Sequence, residues 1–504
     1  MSKQIKFGVA LSYVNTLINL ITGILLTPIT LRLFGQSEYG LYSLALSVMN
    51  MLFLFDFGFS NAIVKYVSSY KEKNQEKENH NINAMFLILY SIIGLIALIC
   101  GLIISAGAEI IFSNGLNEEE IGSFKIMLII VAINLGISFP LRLFSGTITA
   151  HEKFIFSNIM NILRFIMNPL VTLSVLFLGY SSIEVLIAIS IVNFILSMLD
   201  IYYCFAKLKM KIKLYKFDFR LLKEITAYSI WVFVASLADF IYTRTDMFIL
   251  GALVSSIAVA IYNVAEVINN VYSKLTMVLS GFFLPKIVRM VTNNVSNHEL
   301  TNIFIKLSRL QFILAALVLT GFALVGHEFI IIWAGESYSM AYWIVLLVIS
   351  SRFIPVVQVL ATSILQAKNL HSFQSKLYLA VALLNLLLSI PLAMKFGIIG
   401  VAIGTVIGKV INTIVMNFYY FKIGLEMKRY YKEVGILFVP MAIIGLVGFL
   451  LKTFITVTSL ADILLFAIII SLIYLLMMYF LFLNKSEKNI ILMPVKRIVP
   501  NRAN

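Results

Sequence analysis

Charged side chains stand inside long apolar segments of this sequence, at positions that hydrocarbon would surround. A charge at the centre of a bilayer costs about 2.5 kcal/mol or more on insertion scales, so it is retained where it pairs or faces a wet interior. Unpaired cations in a wet cavity would hold an anionic group such as a pyrophosphate, for which arginine offers a bidentate fork. The candidate substrate-binding cations are Arg164, Arg244, Lys274, Arg352 and Lys409.

Acidic side chains occur at the same depth and offer these cations internal partners. Arg244 is close in sequence to Asp246, and Glu266 lies two helical turns from Lys274, so internal pairing is the alternative to substrate binding. One further acid, Asp200, is near the predicted end of its helix and is interpreted as an interfacial charge. The remaining acids at this depth are Asp56 and Asp239.

Uncharged polar residues recur every three or four positions in several of the apolar segments. This spacing places them on one face of a helix. Because a polar face is retained in a membrane helix where it meets a bundle interior or a cavity, we predict a hydrophilic cavity. The polar residues expected to line it are Asn15, Asn19, Asn161, Asn168, Asn263, Asn270 and Gln358.

The apolar residues run in blocks of about 20, the length of a helix that crosses the hydrocarbon core. Hydrophobic residues make up 61% of the 504 positions and charged residues 12%, against roughly 25% charged in soluble domains. This composition excludes a water-soluble enzyme and a disulfide scaffold. We predict an all-α polytopic membrane protein with about 14 transmembrane helices, at 8–30, 39–62, 83–106, 122–146, 155–178, 182–204, 225–250, 257–284, 303–327, 340–365, 374–394, 398–421, 431–451 and 461–483.

Basic and acidic loops alternate along the chain. A strongly basic segment, 207–224, contrasts with the glutamates at 118–120 in a loop expected on the other side of the membrane. The positive-inside rule then predicts a multi-pass protein with both termini in the cytoplasm. The net charge of +15 reflects this topology and attraction to anionic lipid head groups, so nucleic acid is not expected as a partner.

Four segments recur in the same order at an offset of about 215 to 220 residues, as an internal duplication would produce. For example, RLFGQSEYGLYSLA resembles FILGALVSSIAVAIYNVA. The alternative is chance likeness among helices rich in the same apolar residues. Duplicated halves form two lobes that rock about a central site, here an N-terminal six-helix lobe at 1–206, a basic cytoplasmic linker at 207–224, a C-terminal six-helix lobe at 225–424, two extra helices at 425–483 and a cytoplasmic tail at 484–504.

Sequence patterns for catalysis and metal binding are missing. There is no GxxxxGK[ST] phosphate loop, so we do not expect an ATP-driven pump. The five histidines are scattered over loops without metal-ligand spacing, and Cys100 and Cys204 lie in predicted spans, where they are expected to pack. We predict no catalytic residue, no metal site and no cofactor.

Several motifs resemble those of one transporter family. They are L-F-G-x-x-x-Y-G-L-Y-S-L at 33–44, D-F-G at 56–58, T-D-x-F-I-L-G at 245–251 and A-I-Y-N-V-A at 260–265. With six helices per half and two extra, the chain resembles the polysaccharide flippases. These are the Wzx-type O-antigen (O-unit) translocases of the multidrug/oligosaccharidyl-lipid/polysaccharide exporter superfamily.

The resemblance implies a secondary transporter of the bacterial inner membrane and not an enzyme. It implies that the chain moves an undecaprenyl-pyrophosphate-linked oligosaccharide to the outer leaflet by alternating access, for O-antigen, capsule or other surface polysaccharide. Its cationic lumen would map onto the five candidate cations. Coupling to a proton or sodium gradient would map onto Asp56, Asp239, Asp246 or Glu266.

The resemblance also implies partners and leaves alternatives. The expected partners are the lipid-linked oligosaccharide, membrane lipids, and the polysaccharide polymerase and chain-length proteins. The helices at 425–483 resemble the pair that offers a groove to the polyprenyl tail in the related lipid II flippase, although their apolar sequence is equally compatible with ordinary packing. The alternative functions are a drug/cation antiporter of the same superfamily, a lipid II flippase and a membrane enzyme.

Overall fold

Long apolar helices build the protein. The computed structural model describes residues 3–277, 280–368, 370–484 and 487–488, and every regular element in them is helical. Eleven helical segments in this part of the chain are long and apolar enough to cross a membrane. The prediction of an all-α polytopic membrane protein is therefore confirmed.

Packing divides the chain into two units. The first consists of Met1–Asn263 and Leu386–Val401. Its helices form where the apolar blocks were predicted and are α1 Lys3–Phe34, α2 Gln36–Leu52, a 3-10 turn Phe53–Asp56, α3 Phe59–Glu72, α4 Glu76–Ala106, α5 Ala108–Phe112, α6 Glu118–Ala150, α7 Phe154–Phe177, α8 Ser182–Ala206, α9 Phe219–Leu253 and the first residues of α10 Ser256–Met277.

The second unit consists of Val264–Asn385 and Ala402–Asn504. It takes the rest of α10 and both outer parts of the long helix α15. Its described elements are α11 Ser280–Thr292, α12 Asn297–Ala334, a 3-10 turn Glu336–Tyr338, α13 Ala341–Val357, α14 Val359–Ala367, α15 His371–Lys422, α16 Met427–Gly435, α17 Phe438–Phe454, α18 Leu460–Met477 and a π-helical turn Met478–Phe482.

Each predicted span coincides with one helix, with part of one, or with two consecutive helices. The spans 374–394 and 398–421 both fall in α15, which is interrupted at Gly397, where φ is 58° and ψ is −134°. Residues with a Cβ rarely adopt this conformation. The chain reverses there, since the Gly400 backbone meets the Leu392 carbonyl and Asn385 hydrogen-bonds Thr405. The total of 14 membrane crossings stays a prediction.

The predicted span 39–62 is broken in its middle. α2 ends at Leu52, a 3-10 turn follows, and Phe57 and Gly58 take left-handed conformations with φ of 49° and 78° before α3 begins. A helix break frees backbone groups that need partners inside a membrane. The D-F-G sequence therefore marks an irregular point at membrane depth, with the Asp56 carboxylate beside it.

The first unit has its core where α4 and α6 pack along most of their length. Phe86, Tyr90 and Phe139 are fully buried there, and the rings of Tyr90 and Phe139 stack. Packing between membrane helices depends on close van der Waals contact, because lipid is as apolar as the helix faces. This contact holds α6 against the break between α2 and α3.

Candidate functional site

Asp56 accepts several hydrogen bonds at the break between α2 and α3. The Ser60 hydroxyl donates to Asp56 Oδ1 at 2.8 Å, and the Tyr90 hydroxyl donates to the same oxygen at 2.9 Å. The Ser60 backbone N–H donates to Oδ2 at 3.3 Å. The carboxylate thus has three donors from its own surroundings and satisfies a backbone group freed by the break.

Arg142 of α6 completes this cluster. Its Nη1 lies 3.2 Å from Asp56 Oδ1, and its guanidinium lies 4.5 Å from the centre of the Phe53 ring and 5.5 Å from that of Phe139. Aromatic rings hold a cation in place through their negative faces. The Arg142 side chain stays 33% exposed, so the cluster of Asp56, Ser60, Tyr90 and Arg142 presents a positioned cation next to its counter-charge.

This arrangement fits anion binding. The remaining guanidinium N–H groups of Arg142 make no hydrogen bond to the described residues, and arginine binds phosphate through two parallel N–H groups. Because Asp56 has three other donors, its carboxylate stays solvated if Arg142 turns to a ligand. Residue type and depth predicted Asp56 as a site residue, whereas Arg142 was not among the predicted residues.

Arg164 has an internal partner. Its Nη2 lies 2.7 Å from Asp200 Oδ2, and its Nη1 donates to Asn161 at 3.4 Å. Asp200 is buried, with 6% of its side chain exposed, and is paired within the protein; its position at the membrane interface stays a prediction. Packing of α7 on α8 brings the two charges together, and each offsets the burial cost of the other.

The polar face predicted for α1 meets α7. Asn15 is buried and donates to Asn158 at 2.6 Å, and Asn158 donates to the Gly8 carbonyl at 3.1 Å. Asn19 is half-buried on the same helix. On α7, Asn168 is half-buried, and its side-chain oxygen has no hydrogen-bond partner among the described residues. Part of this face therefore joins two helices.

The D-x-F-I-L-G and A-I-Y-N motifs contain a second polar group of the first unit. Tyr262 donates its hydroxyl hydrogen bond to the buried Asp246. Asn263 donates to Tyr39 at 3.0 Å and to Ser43 at 2.7 Å. These contacts tie α10 to α9 and α2.

Two predicted site residues, Arg244 and Asp239, lie on α9, and the structure describes no side-chain partner for Arg244. The Arg244 guanidinium is half-buried and forms no ion pair with any side chain that the structure describes, so the alternative of pairing with Asp246 is not found. The side chain of Asp239 lies outside the described residues. Arg244 stays a candidate for anion binding.

In the second unit, Glu266 of α10 and Arg352 of α13 contact different residues. Glu266 is buried and accepts a hydrogen bond from Asn269 at 3.3 Å. Arg352 of α13 donates to Ser273 at 3.2 Å. Lys274 and Asn270 are both exposed, so Asn269, which the sequence analysis passed over, is the buried amide on this helix.

Hydrogen bonds to the Asn417 amide link the turn between α13 and α14 to α15 and α16. Gln358 is 3% exposed and donates to Asn417 at 2.8 Å, and the Tyr431 hydroxyl donates to the same Asn417 oxygen at 2.7 Å. Lys409, a predicted substrate-binding cation, is buried on α15 with 3% exposed. A lysine at this depth is retained where protein groups or a ligand solvate it.

Arg309 of α12 is a second cation that the sequence analysis did not select. Its Nε lies 2.6 Å from Glu487 Oε1, Nη1 donates to the Glu433 carbonyl at 2.6 Å and Nη2 donates to the Phe482 carbonyl at 2.7 Å. All three acceptors belong to the segment after α15, and Glu487 is fully buried. Every arm of this guanidinium is occupied, so its role is to hold helices together.

An exposed network adjoins Arg309 at the start of α16. His298 Nδ1 lies 2.8 Å from Glu426, and Arg429 Nε donates to Glu433 at 2.7 Å. The hydrogen bond from His298, with a further one from Arg429, lowers the pKa of the Glu426 carboxyl below its usual value. These surface pairs contribute little to stability.

The fold is similar to that of solved membrane transporters. One similar structure is the lipid II flippase MurJ in an inward closed conformation, with a TM-score of 0.71 and 16% sequence identity. The match covers 94% of this chain and 98% of that one. Another is an inward-facing multidrug resistance MATE family transporter of the MOP superfamily, with a TM-score of 0.64 and 15% sequence identity. That match covers 83% of this chain and 96% of the transporter. At these identities the likeness concerns the fold.

The chain belongs to the polysaccharide biosynthesis protein family, whose profile matches residues 7–290. It is 22% identical over 400 residues to a putative O-antigen transporter of Shigella flexneri, covering 77% of the chain and 91% of that protein. It is 22% identical over 252 residues to Agl15, a probable low-salt glycan biosynthesis flippase of Haloferax volcanii, covering half of the chain and 53% of that protein. The predicted family and transporter class are confirmed.

Proposed function

We propose that the protein moves an undecaprenyl-pyrophosphate-linked oligosaccharide repeat unit across the bacterial inner membrane by alternating access. The observation that carries this proposal is membership of the polysaccharide biosynthesis protein family over more than half of the chain. Relatives named as a glycan flippase and an O-antigen transporter support the choice of cargo. The sequence has no GxxxxGK[ST] phosphate loop, and the proposal includes a proton or sodium gradient as the energy source.

The anionic part of such a cargo needs cations at membrane depth. Arg142 offers guanidinium N–H groups that no described residue occupies, and its counter-charge Asp56 has other donors. Arg244, Arg352, Lys274 and Lys409 remain candidates of the same kind. Arg164 is the weakest of the predicted set, because Asp200 already neutralises it.

The carboxylates provide the candidates for ion coupling. Asp56 lies next to Arg142, so an anion that draws the guanidinium away leaves the carboxylate without its counter-charge, and a proton or sodium ion then takes that place. This exchange links cargo binding to cation binding at one cluster. Asp246 and Glu266 are buried and hydrogen-bonded to Tyr262 and Asn269, which also suits a proton site.

Lipid analysis of a deletion strain tests the proposal. We expect surface polysaccharide to disappear and a lipid-linked repeat unit to accumulate on the cytoplasmic side, where it is protected from glycan-cleaving enzymes added to intact spheroplasts. A plasmid copy of the gene should reverse both effects. Normal surface glycan without accumulation contradicts the proposal, and a simultaneous gain of drug sensitivity would favour the antiporter alternative.

A further inference from the structure

A polar pocket opens at one end of the first unit, where three helices begin. It lies between the turn from α1 to α2, the start of α6 and the start of α8, and encloses about 400 Å³. This is within the range of small-molecule sites, about 300 to 1,000 Å³. Its walls include Glu38, Glu119, Glu120, Ser182 and Phe34. The predicted topology places this end on the outer face of the membrane.

Helix capping explains part of this chemistry. Glu120 accepts the Asn117 backbone N–H at 3.0 Å in a capping box at the start of α6, and Glu38 Oε1 accepts the Ser182 backbone N–H at 2.5 Å at the start of α8. Carboxylates are stable at helix N-termini, where the backbone carries partial positive charge. Capping therefore fixes two of the glutamates in place.

Capping leaves the Ser182 hydroxyl unexplained. Ser182 is 1% exposed and lines the pocket, and its Oγ has no hydrogen-bond partner among the residues that the structure describes. Buried polar side-chain atoms nearly always have a partner in the protein, in water or in a ligand. An orphaned hydroxyl beside a fixed carboxylate is the feature that a polar ligand would complete.

We propose that this pocket binds a neutral or amino sugar. Sugar hydroxyls both donate and accept, so they can pair with Glu38, Ser123 and Ser182 together, while Phe34 and Met127 give the ring an apolar wall. The glutamates repel phosphate and acidic sugars and attract an ammonium group. Among the described residues no cluster of acidic or histidine ligands has metal geometry. This assignment rests on the proposed function: the pocket would receive the sugar part of the cargo on the outer face of the membrane.

Binding of free sugars to the purified protein tests this site. The probes are glucosamine and N-acetylglucosamine, detected by saturation-transfer NMR in detergent. We expect Ser182→Ala to weaken both sugars about fivefold or more, since it removes one hydrogen-bonding group from an enclosed site. The thermal midpoint of this variant should not change, because Ser182 Oγ accepts or donates no hydrogen bond within the described part of the chain.

Charge variants separate sugar binding from general effects. Glu38→Gln keeps an acceptor for the Ser182 backbone and should weaken glucosamine more than N-acetylglucosamine. The matched control is Glu118→Gln. Glu118 is an exposed glutamate at the start of α6, outside the pocket wall, and its substitution should change the binding of neither sugar. The sugar-site proposal is wrong if the wild type binds neither sugar, or if both pocket variants bind the sugars as the wild type does. It is also wrong if calcium ions, added as calcium chloride, bind with the variant pattern expected for the sugars while the sugars themselves do not.

The outcome stays separable from that of the proposed function. If the deletion strain accumulates a lipid-linked repeat unit while the purified protein binds neither sugar, the pocket assignment fails and the flippase proposal stands. If the deletion leaves surface glycan unchanged while the variants alter sugar binding as expected, the flippase proposal fails and the sugar site stands.

Discussion

Arg142 and Asp56 form an ion pair, but neither side chain depends on the other to offset the cost of its burial. Asp56 has three other donors, and Arg142 is one-third exposed. We expect Arg142→Gln to abolish complementation of a deletion strain at unchanged protein level, and Arg142→Lys to retain part of it because the charge remains without the fork. Asp56→Asn should fold, since an amide oxygen still accepts from Ser60 and Tyr90, but should lose transport.

Surface glycan and the amount of protein in the membrane are the two measurements for these variants. Lys71→Gln, an exposed cation of α3, is the control and should complement fully. Full complementation by Arg142→Gln would remove this residue from the anion site.

Arg164 tests the opposite case, a cation whose contacts are structural. Removing one partner of a buried pair costs about 3 to 5 kcal/mol, because the other charge is left uncompensated. We expect Arg164→Met to lower the amount of protein in the membrane and the double variant Arg164→Met with Asp200→Leu to restore it. Immunoblotting of membranes measures this. Arg244→Met is the matched control, because Arg244 has no described ion pair. A normal level of Arg164→Met would contradict the structural role.

Residue type and depth could be read from the sequence, but partners could not. Asp56 and Arg142 are 86 positions apart, and Arg164 and Asp200 are 36 apart, so no local spacing joins them. Arg142 was missed because it lies close to the predicted end of its span at 146, where a cytoplasmic cation is expected. Packing of α6 against the α2–α3 break decides its partner.

Close packing between helices gives a test at the scale of elements. A Cβ on Gly40 of α2 would collide with the Ser256 carbonyl at the start of α10, and that backbone cannot move away as a flexible side chain would. Overpacking of this kind costs about 1 to 3 kcal/mol. We expect Gly40→Ala to lower the thermal midpoint of the purified protein, measured by scanning fluorimetry in detergent.

The control for this variant is Gly122→Ala on α6. A Cβ at Gly122 meets no atom within 4 Å, and alanine is the better helix former, so the midpoint should stay or rise. Equal effects of the two substitutions would show that the α2–α10 approach is not tight.

Helix positions were predictable because apolar blocks of membrane length leave few alternatives. The reversal at Gly397 falls in the predicted gap between 394 and 398. The break at Phe57 and Gly58 was not predicted, since the apolar run continues through it and only the left-handed backbone marks it. Broken helices need tertiary partners for their free backbone groups, and those partners are distant in sequence.

For the whole molecule, the charge distribution that predicts the topology also predicts which face of the membrane carries the acidic pocket. With both termini in the cytoplasm, the turn before α6 lies outside and the turn after α3 lies inside. Asn114 and Lys73 are exposed in these two turns. In a background with Cys100→Ser and Cys204→Ala, a membrane-impermeant maleimide should label Asn114→Cys in intact spheroplasts and Lys73→Cys only after permeabilisation. The reverse labelling pattern would show that the orientation is inverted and that the acidic pocket faces the cytoplasm. In that case the pocket could bind cargo before translocation but could not receive it afterwards.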